Sequence, residues 1–97
     1  GVACFHYGVA KDGGWSHSGE RAARRIHSAI LNATDLDDCR VQHKTWELLR
    51  LTKMPTVWIE AGYLSNPADA ARWADPVFID DLAESIASGI VAFFTPV

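Results

Sequence analysis

A carboxylate at the end of a strand, just before a glycine turn, is placed to move a proton, and Glu60 has that setting. It follows Thr56-Val57-Trp58-Ile59, a β-branched and aromatic run suited to a buried strand, and it precedes Ala61-Gly62, a turn signal. In open α/β sheets, ligand sites gather at the carboxyl ends of strands. A lone carboxylate there can serve as a general base. Its structural alternative is to cap a helix or bind an arginine.

The remaining reactive side chains are less pointed. His6, His17, His27 and His43 show no HExxH or other ligand spacing. Cys4 and His6 share one face of an expected strand, which suits packing more than a metal pair. His17, His27 and His43 are expected on the surface. Cys4 and Cys39 are the only cysteines, and a disulfide or two free thiols both fit. Asp35, Asp37 and Asp38 cluster without an EF-hand pattern, as a solvated turn would. Arg40 and Arg50 could each grip a carboxylate through paired hydrogen bonds, or form surface ion pairs. Trp46 fits either a core or a sugar platform. No nucleophile-elbow serine and no P-loop occurs.

The elements that must hold these residues follow from period and punctuation. Gly1 to Tyr7 alternates with both sides apolar, as for a strand covered on both faces. Gly8 to Gly14, with three glycines and Asp12, reads as a loop. Ser16 or Ser18 caps a helix whose apolar face is Ala22, Ile26, Ala29, Ile30 and Ala33. Glu20 and Arg24 are a favourable i,i+4 pair on it. Val41 suits a short strand, and Trp46 to Leu51 is an apolar cluster of undecided class. Pro55 opens the strand that leads to Glu60. Asn66-Pro67 and Asp75-Pro76 are both helix starts. The last helix is expected to bury Ile79, Leu82, Ala83, Ile86, Ile90, Phe93 and Phe94. Gly89 inside that helix costs propensity, which predicts close packing against a neighbour. Strand, helix, strand, helices is an α/β order.

Composition agrees with one small domain of 97 residues, 48% hydrophobic and 22% charged, with four tryptophans. A net charge of −3, with the basic residues scattered, argues against a nucleic-acid or anionic-membrane partner. No apolar run reaches bilayer-spanning length. The opening residues are neither a signal peptide nor a methionine start, so they do not report a compartment.

Read together, Leu49-Arg50-Leu51-Thr52-Lys53-Met54-Pro55-Thr56-Val57-Trp58-Ile59-Glu60-Ala61-Gly62-Tyr63-Leu64-Ser65-Asn66-Pro67 resembles the closing half of the amidase-3 type N-acetylmuramoyl-L-alanine amidases. There a segment of the form LRxTxMPxVLVELGFLSNPxD precedes a short helix and a last helix with an A-x-G-I pattern, here Ala87-Ser88-Gly89-Ile90. Gly1 to Tyr7 is similar to the strand after the family's SxHxN segment, and Ser16 to Leu31 to its next helix. The resemblance implies an α/β fold: residues 1–97 as the C-terminal half of a catalytic domain, with a twisted mixed sheet flanked by helices, phosphorylase/hydrolase-like.

It implies zinc-dependent hydrolysis of the amide between N-acetylmuramic acid and L-alanine in peptidoglycan. Glu60 matches the family's catalytic carboxylate, and Arg50 is a candidate substrate contact. The family's zinc ligands lie upstream, in a HxGHGG-like segment, a later Glu and the His of SxHxN. No metal ligand is therefore carried onto this chain, which is expected to be inactive without the N-terminal half of the domain. The implied partners are a peptidoglycan or muropeptide substrate and that missing half. Ala3-Cys4-Phe5-His6-Tyr7, Asp38-Cys39-Arg40-Val41 and Trp46 to Thr52 are similar to an actinobacterial CwlM-like branch. That branch implies a second reading, a non-catalytic regulator of peptidoglycan synthesis acting in the cytoplasm. The enzyme reading implies a secreted or cell-wall location.

Overall fold

A computed structural model describes residues 1–9, 13–51 and 53–96. The middle of the expected loop (10–12, with Asp12) and Thr52 of the motif lie outside the described residues. Three strands and four helices follow in the order β1 (Val2–Tyr7), α1 (His17–Ala33), β2 (Asp38–Lys44), α2 (Glu47–Arg50), β3 (Trp58–Ala61), α3 (Pro67–Trp73) and α4 (Pro76–Phe94). The sheet order is β2-β1-β3. β1 pairs in parallel with β2 and antiparallel with β3. β1 is thus the central strand, and Val2 to His6 are buried, as its two apolar faces predict.

The helix starts obey local capping rules. Ser16 is the first cap: its Oγ accepts from the Gly19 amide at 3.0 Å. Asn66 Oδ1 accepts from the Asp69 amide at 3.0 Å and Asp75 Oδ1 from the Val77 amide at 3.0 Å, each ahead of a proline that fits the first turn.

One face of the sheet carries the main core. Val2 and Cys4 of β1 pack with Ala23, Ile26 and Ile30 of α1, Leu36, and Phe78 and Leu82 of α4. Val57, Ile59 and Ala61 join from the β3 side. The opposite face is thin: Ala3 and Phe5 meet Leu49 of α2, with Tyr7 and Cys39 at the margin. The two thiols therefore project to opposite faces, and both are free. Burial pushes the Cys4 thiol up to about 12, so it behaves as an inert core group.

Four expectations change. The strand before Glu60 is not buried: β3 is an edge strand two residues later than Thr56–Ile59, and Trp58 is 40% exposed. β2 is a full seven-residue strand where Val41 suggested a short one. The Trp46–Leu51 cluster is resolved as one helical turn, α2. The buried stripe of α4 runs through Phe78, Leu82, Ser85 and Gly89, with Ile86 beside it, while Ile79, Ala83, Ile90 and Phe94 are exposed. Small residues decide that phase. A Cβ at Gly89 would lie 2.5 Å from Ile26 Cα and 3.0 Å from Ile26 N, so α1 and α4 touch backbone to backbone there.

Gly89→Ala should gain about 1 kcal/mol of helix propensity but lose about 2–3 kcal/mol to overpacking, because backbone cannot swing aside like a side chain. A net loss of about 1–2 kcal/mol should appear in urea unfolding. An unchanged or raised midpoint would show that the close approach is not needed.

Candidate active site

Glu60 is the third residue of β3, directly opposite Ala3. Opposed residues share a face, so its side chain projects to the thin side of the sheet with Ala3, Phe5 and Trp58. It is half-buried. Its Oε1 accepts a 3.2 Å hydrogen bond from the Tyr63 hydroxyl. Near it on the same face lie Trp58, Trp46 and Phe5, stacked with ring centroids 5.4 Å (Trp46–Trp58) and 5.2 Å (Phe5–Trp46) apart.

The turn after Glu60 is tightly determined. Gly62 has φ +95°, a left-handed conformation that favours glycine, and a Cβ there would stand 3.0 Å from Trp73 Nε1. Trp73 Nε1 donates to the Ala61 carbonyl at 2.6 Å. Behind the turn sits Asp69, 2% exposed. Its Oδ2 accepts from the Gly1 nitrogen at 2.6 Å and the Tyr63 amide at 3.0 Å, and its Oδ1 accepts from Arg72 Nη1 at 2.9 Å. These hydrogen bonds, from the Gly1 nitrogen first and then from the Tyr63 amide, hold the Asp69 carboxyl below the usual carboxylate range against the cost of burial. Neither Asp69 nor Tyr63 was singled out from the sequence. Asp69 carried a signal as a first-turn acid of α3 and as the closing acid of the SNPxD pattern, and Tyr63 only as a position where the family pattern has Phe.

The other candidates scatter. Arg50 is exposed at the end of α2, whose Leu49 packs on the same thin face as Glu60, and it forms no ion pair among the described residues. Arg40 takes φ +73° beside a register shift between β1 and β2, and its amide donates to Asp38 Oδ1 at 2.8 Å, so it belongs to a bulge. The acidic run disperses: Asp35 accepts from Arg72 Nε at 2.7 Å, and Asp38 pairs with His27.

His27 is a correction. It is buried, with Nε2 2.7 Å from Asp38 Oδ1, because α1 turns it toward the start of β2 instead of toward solvent. His43, exposed overall, still stacks on Trp15 at 4.8 Å and reaches the Gly8 carbonyl with Nδ1 at 3.2 Å. His6 is buried, with Nδ1 3.0 Å from the Tyr7 carbonyl oxygen and Nε2 3.9 Å from Glu20. It faces the main core side with Cys4, without a third ligand. Among the described residues no group of three or more His, Cys, Asp or Glu could hold a metal ion. The side chains of the described residues thus do not form a zinc centre.

Comparison with known proteins gives this geometry a context. Residues 1–92 match the family described as N-acetylmuramoyl-L-alanine amidase (Amidase_3). The chain is 41% identical over 90 residues to a Mycobacterium tuberculosis protein named N-acetylmuramoyl-L-alanine amidase CwlM, covering 93% of this chain and 22% of that one. It superposes on the N-acetylmuramoyl-L-alanine amidase AmiC2 of Nostoc punctiforme with TM-score 0.82 and 26% identity, over 96% of this chain and 47% of that one. The catalytic domain of the amidase CwlV from Bacillus (Paenibacillus) polymyxa gives TM-score 0.81 and 28% identity, over 96% and 48%. The chain thus spans under a third of the curated relative and about half of each solved structure.

Asp69 makes the turn sensitive to acid. A carboxyl held low in the fold adds stability above its unfolded value near 3.9, and that stability is lost as pH falls through the lower folded value. Asp69→Asn should therefore be about 2 kcal/mol less stable than the parent at pH 7. The gap should begin to narrow as pH falls through the unfolded value near 3.9 and close only below the lower folded value, where the parent's carboxyl is neutral in both states. Paired denaturation curves from pH 7 to pH 2 would measure it, and a gap that stays constant with pH would refute the assignment.

Proposed function

Because the chain belongs to the Amidase_3 family of N-acetylmuramoyl-L-alanine amidases, we propose that it is the C-terminal half of a peptidoglycan-cleaving amidase domain and that Glu60 is the domain's proton-transfer residue. The observation that carries this is the placement of Glu60. It stands on the uncovered face of the sheet, in the family's motif, with Oε1 held by Tyr63 and no partner for Oε2 among the described residues.

The reaction is hydrolysis of the amide between N-acetylmuramic acid and L-alanine. Glu60 takes a proton from the attacking water as its oxygen bonds to the carbonyl carbon. It returns that proton to the nitrogen of L-alanine as the C–N bond breaks. The zinc of the resemblance has no ligand set among the described residues, so its ligands belong to the other half of the domain. No step is assigned to it here. β3 has an unpaired edge, and Trp46 and Trp58 are 38% and 40% exposed on the thin face. An edge and an apolar face of this kind suit the docking of the remaining half. Arg50, on the same side, is positioned to meet a carboxylate of the peptide stem. The enzyme works at the cell wall, outside the cytoplasm. The regulator reading gains no support from the relatives above, which all carry amidase names.

In the complete polypeptide, Glu60→Gln should lower the rate of muropeptide amide cleavage by about 10³-fold. Bound zinc should be unchanged, since Glu60 is not one of its ligands. Cleavage at the parental rate would remove Glu60 from the mechanism.

A further inference from the structure

Tyr63 supplies something that Glu60 alone does not have. Its hydroxyl lies 3.2 Å from Glu60 Oε1 and donates to it. The phenol is pushed above its usual value near 10, by burial first and then by the Glu60 charge and hydrogen bond, so it keeps its proton through the neutral range. Its backbone is pinned independently of that bond. The Tyr63 amide donates to Asp69 Oδ2 at 3.0 Å, and the Tyr63 carbonyl accepts from the Asn66 amide at 2.9 Å. Gly62, locked at φ +95°, turns the chain so that residue 63 comes back beside residue 60.

We propose that Tyr63 is the positioning residue of Glu60: its hydroxyl occupies Oε1 and selects one carboxylate orientation, which leaves Oε2 directed at the open face to carry the proton. This rests on the proton-transfer reading of Glu60. A glutamate side chain has three rotatable bonds, and ordering it costs free energy that a fixed donor prepays. Removing that donor should weaken the orientation. The ring, which packs equally well as Phe, should leave the fold intact.

The experiment uses the complete polypeptide with Tyr63→Phe, beside Glu60→Gln. With Tyr63→Phe, kcat for muropeptide cleavage should fall roughly 3- to 10-fold with KM unchanged. The thermal midpoint should hold within about 2 °C. A second readout does not depend on activity. Side-chain carboxyl NMR of glutamate-labelled protein, with the Glu60 signal identified by its loss in Glu60→Gln, should show a displaced Glu60 chemical shift in Tyr63→Phe. An unmoved Glu60 signal overturns the positioning role, whatever the activity. A moved signal with full activity in Glu60→Gln upholds the Tyr63–Glu60 contact and overturns the catalytic reading instead.

Discussion

The buried carboxylate of Asp69 is the interaction on which the rest of this structure depends. An ionised carboxyl is costly to take from water unless its lone pairs are occupied. Here Oδ2 receives the Gly1 nitrogen and the Tyr63 amide, and Oδ1 receives Arg72. Arg72 in turn reaches Asp35, on the approach to β2, with Nε at 2.7 Å. One side chain thereby ties together the start of β1, the turn after β3, α3 and the segment leading to β2. Those are the segments that set the register of all three strands at the end of the sheet where Glu60 stands. The geometry around Glu60 is therefore a consequence of a fully satisfied anion one turn of chain away.

The second constraint is the close approach of α1 and α4. Gly89, Ser85 and Ala22 are small, so the two helices meet with little side chain between them and cover one sheet face as a single layer. Nothing comparable covers the other face, where a four-residue helix and Leu49 serve instead. A 97-residue chain has limited apolar surface to spend on two faces. Its exposed Trp46 and Trp58, at 38% and 40%, lie on the thinner side. Glu60 lies on the under-covered side.

How much of this could be read from the sequence depends on whether the cause was local. The caps at Ser16, Asn66 and Asp75, the central strand β1 and the close contact at Gly89 each follow from rules acting over a few residues, and each was legible. The setting of Glu60, near the end of a strand and just before the Gly62 turn, was legible as well, because its signals are contiguous. The edge position of β3 was not, since a β-branched run looks the same in the middle of a sheet and at its margin. The α4 stripe was misphased because counting large apolar residues overlooks Ser85 and Gly89, which bury by being small. His27 looked like a surface residue until its partner, Asp38, eleven positions away, was in view. Asp69 and Tyr63 were invisible as site residues for the same reason: their roles lie in partners brought together by the turn, not in their own types.

The polarity of the sheet explains why the site is where it is. β1 and β2 run parallel, and the carboxyl ends of parallel strands are the usual place for a ligand crevice. At that end lie His6, His43, Trp15 and Glu20, a set that would attract attention by residue type. Each member is engaged: Glu20 accepts from Arg24 at 2.9 Å and from Trp15 at 3.4 Å, its carboxyl held below the usual range by Arg24 first, and each histidine has Nδ1 at a backbone carbonyl. β3 runs the other way, so its own carboxyl end delivers Glu60 to the opposite end, beside the start of β1. There one carboxylate oxygen has no partner among the described residues. A group whose capacity is already filled by its neighbours stabilises a fold, whereas one with capacity left over on an uncovered face can exchange protons with something that arrives. Glu20, with both oxygens engaged, is of the first kind, and Glu60 is of the second.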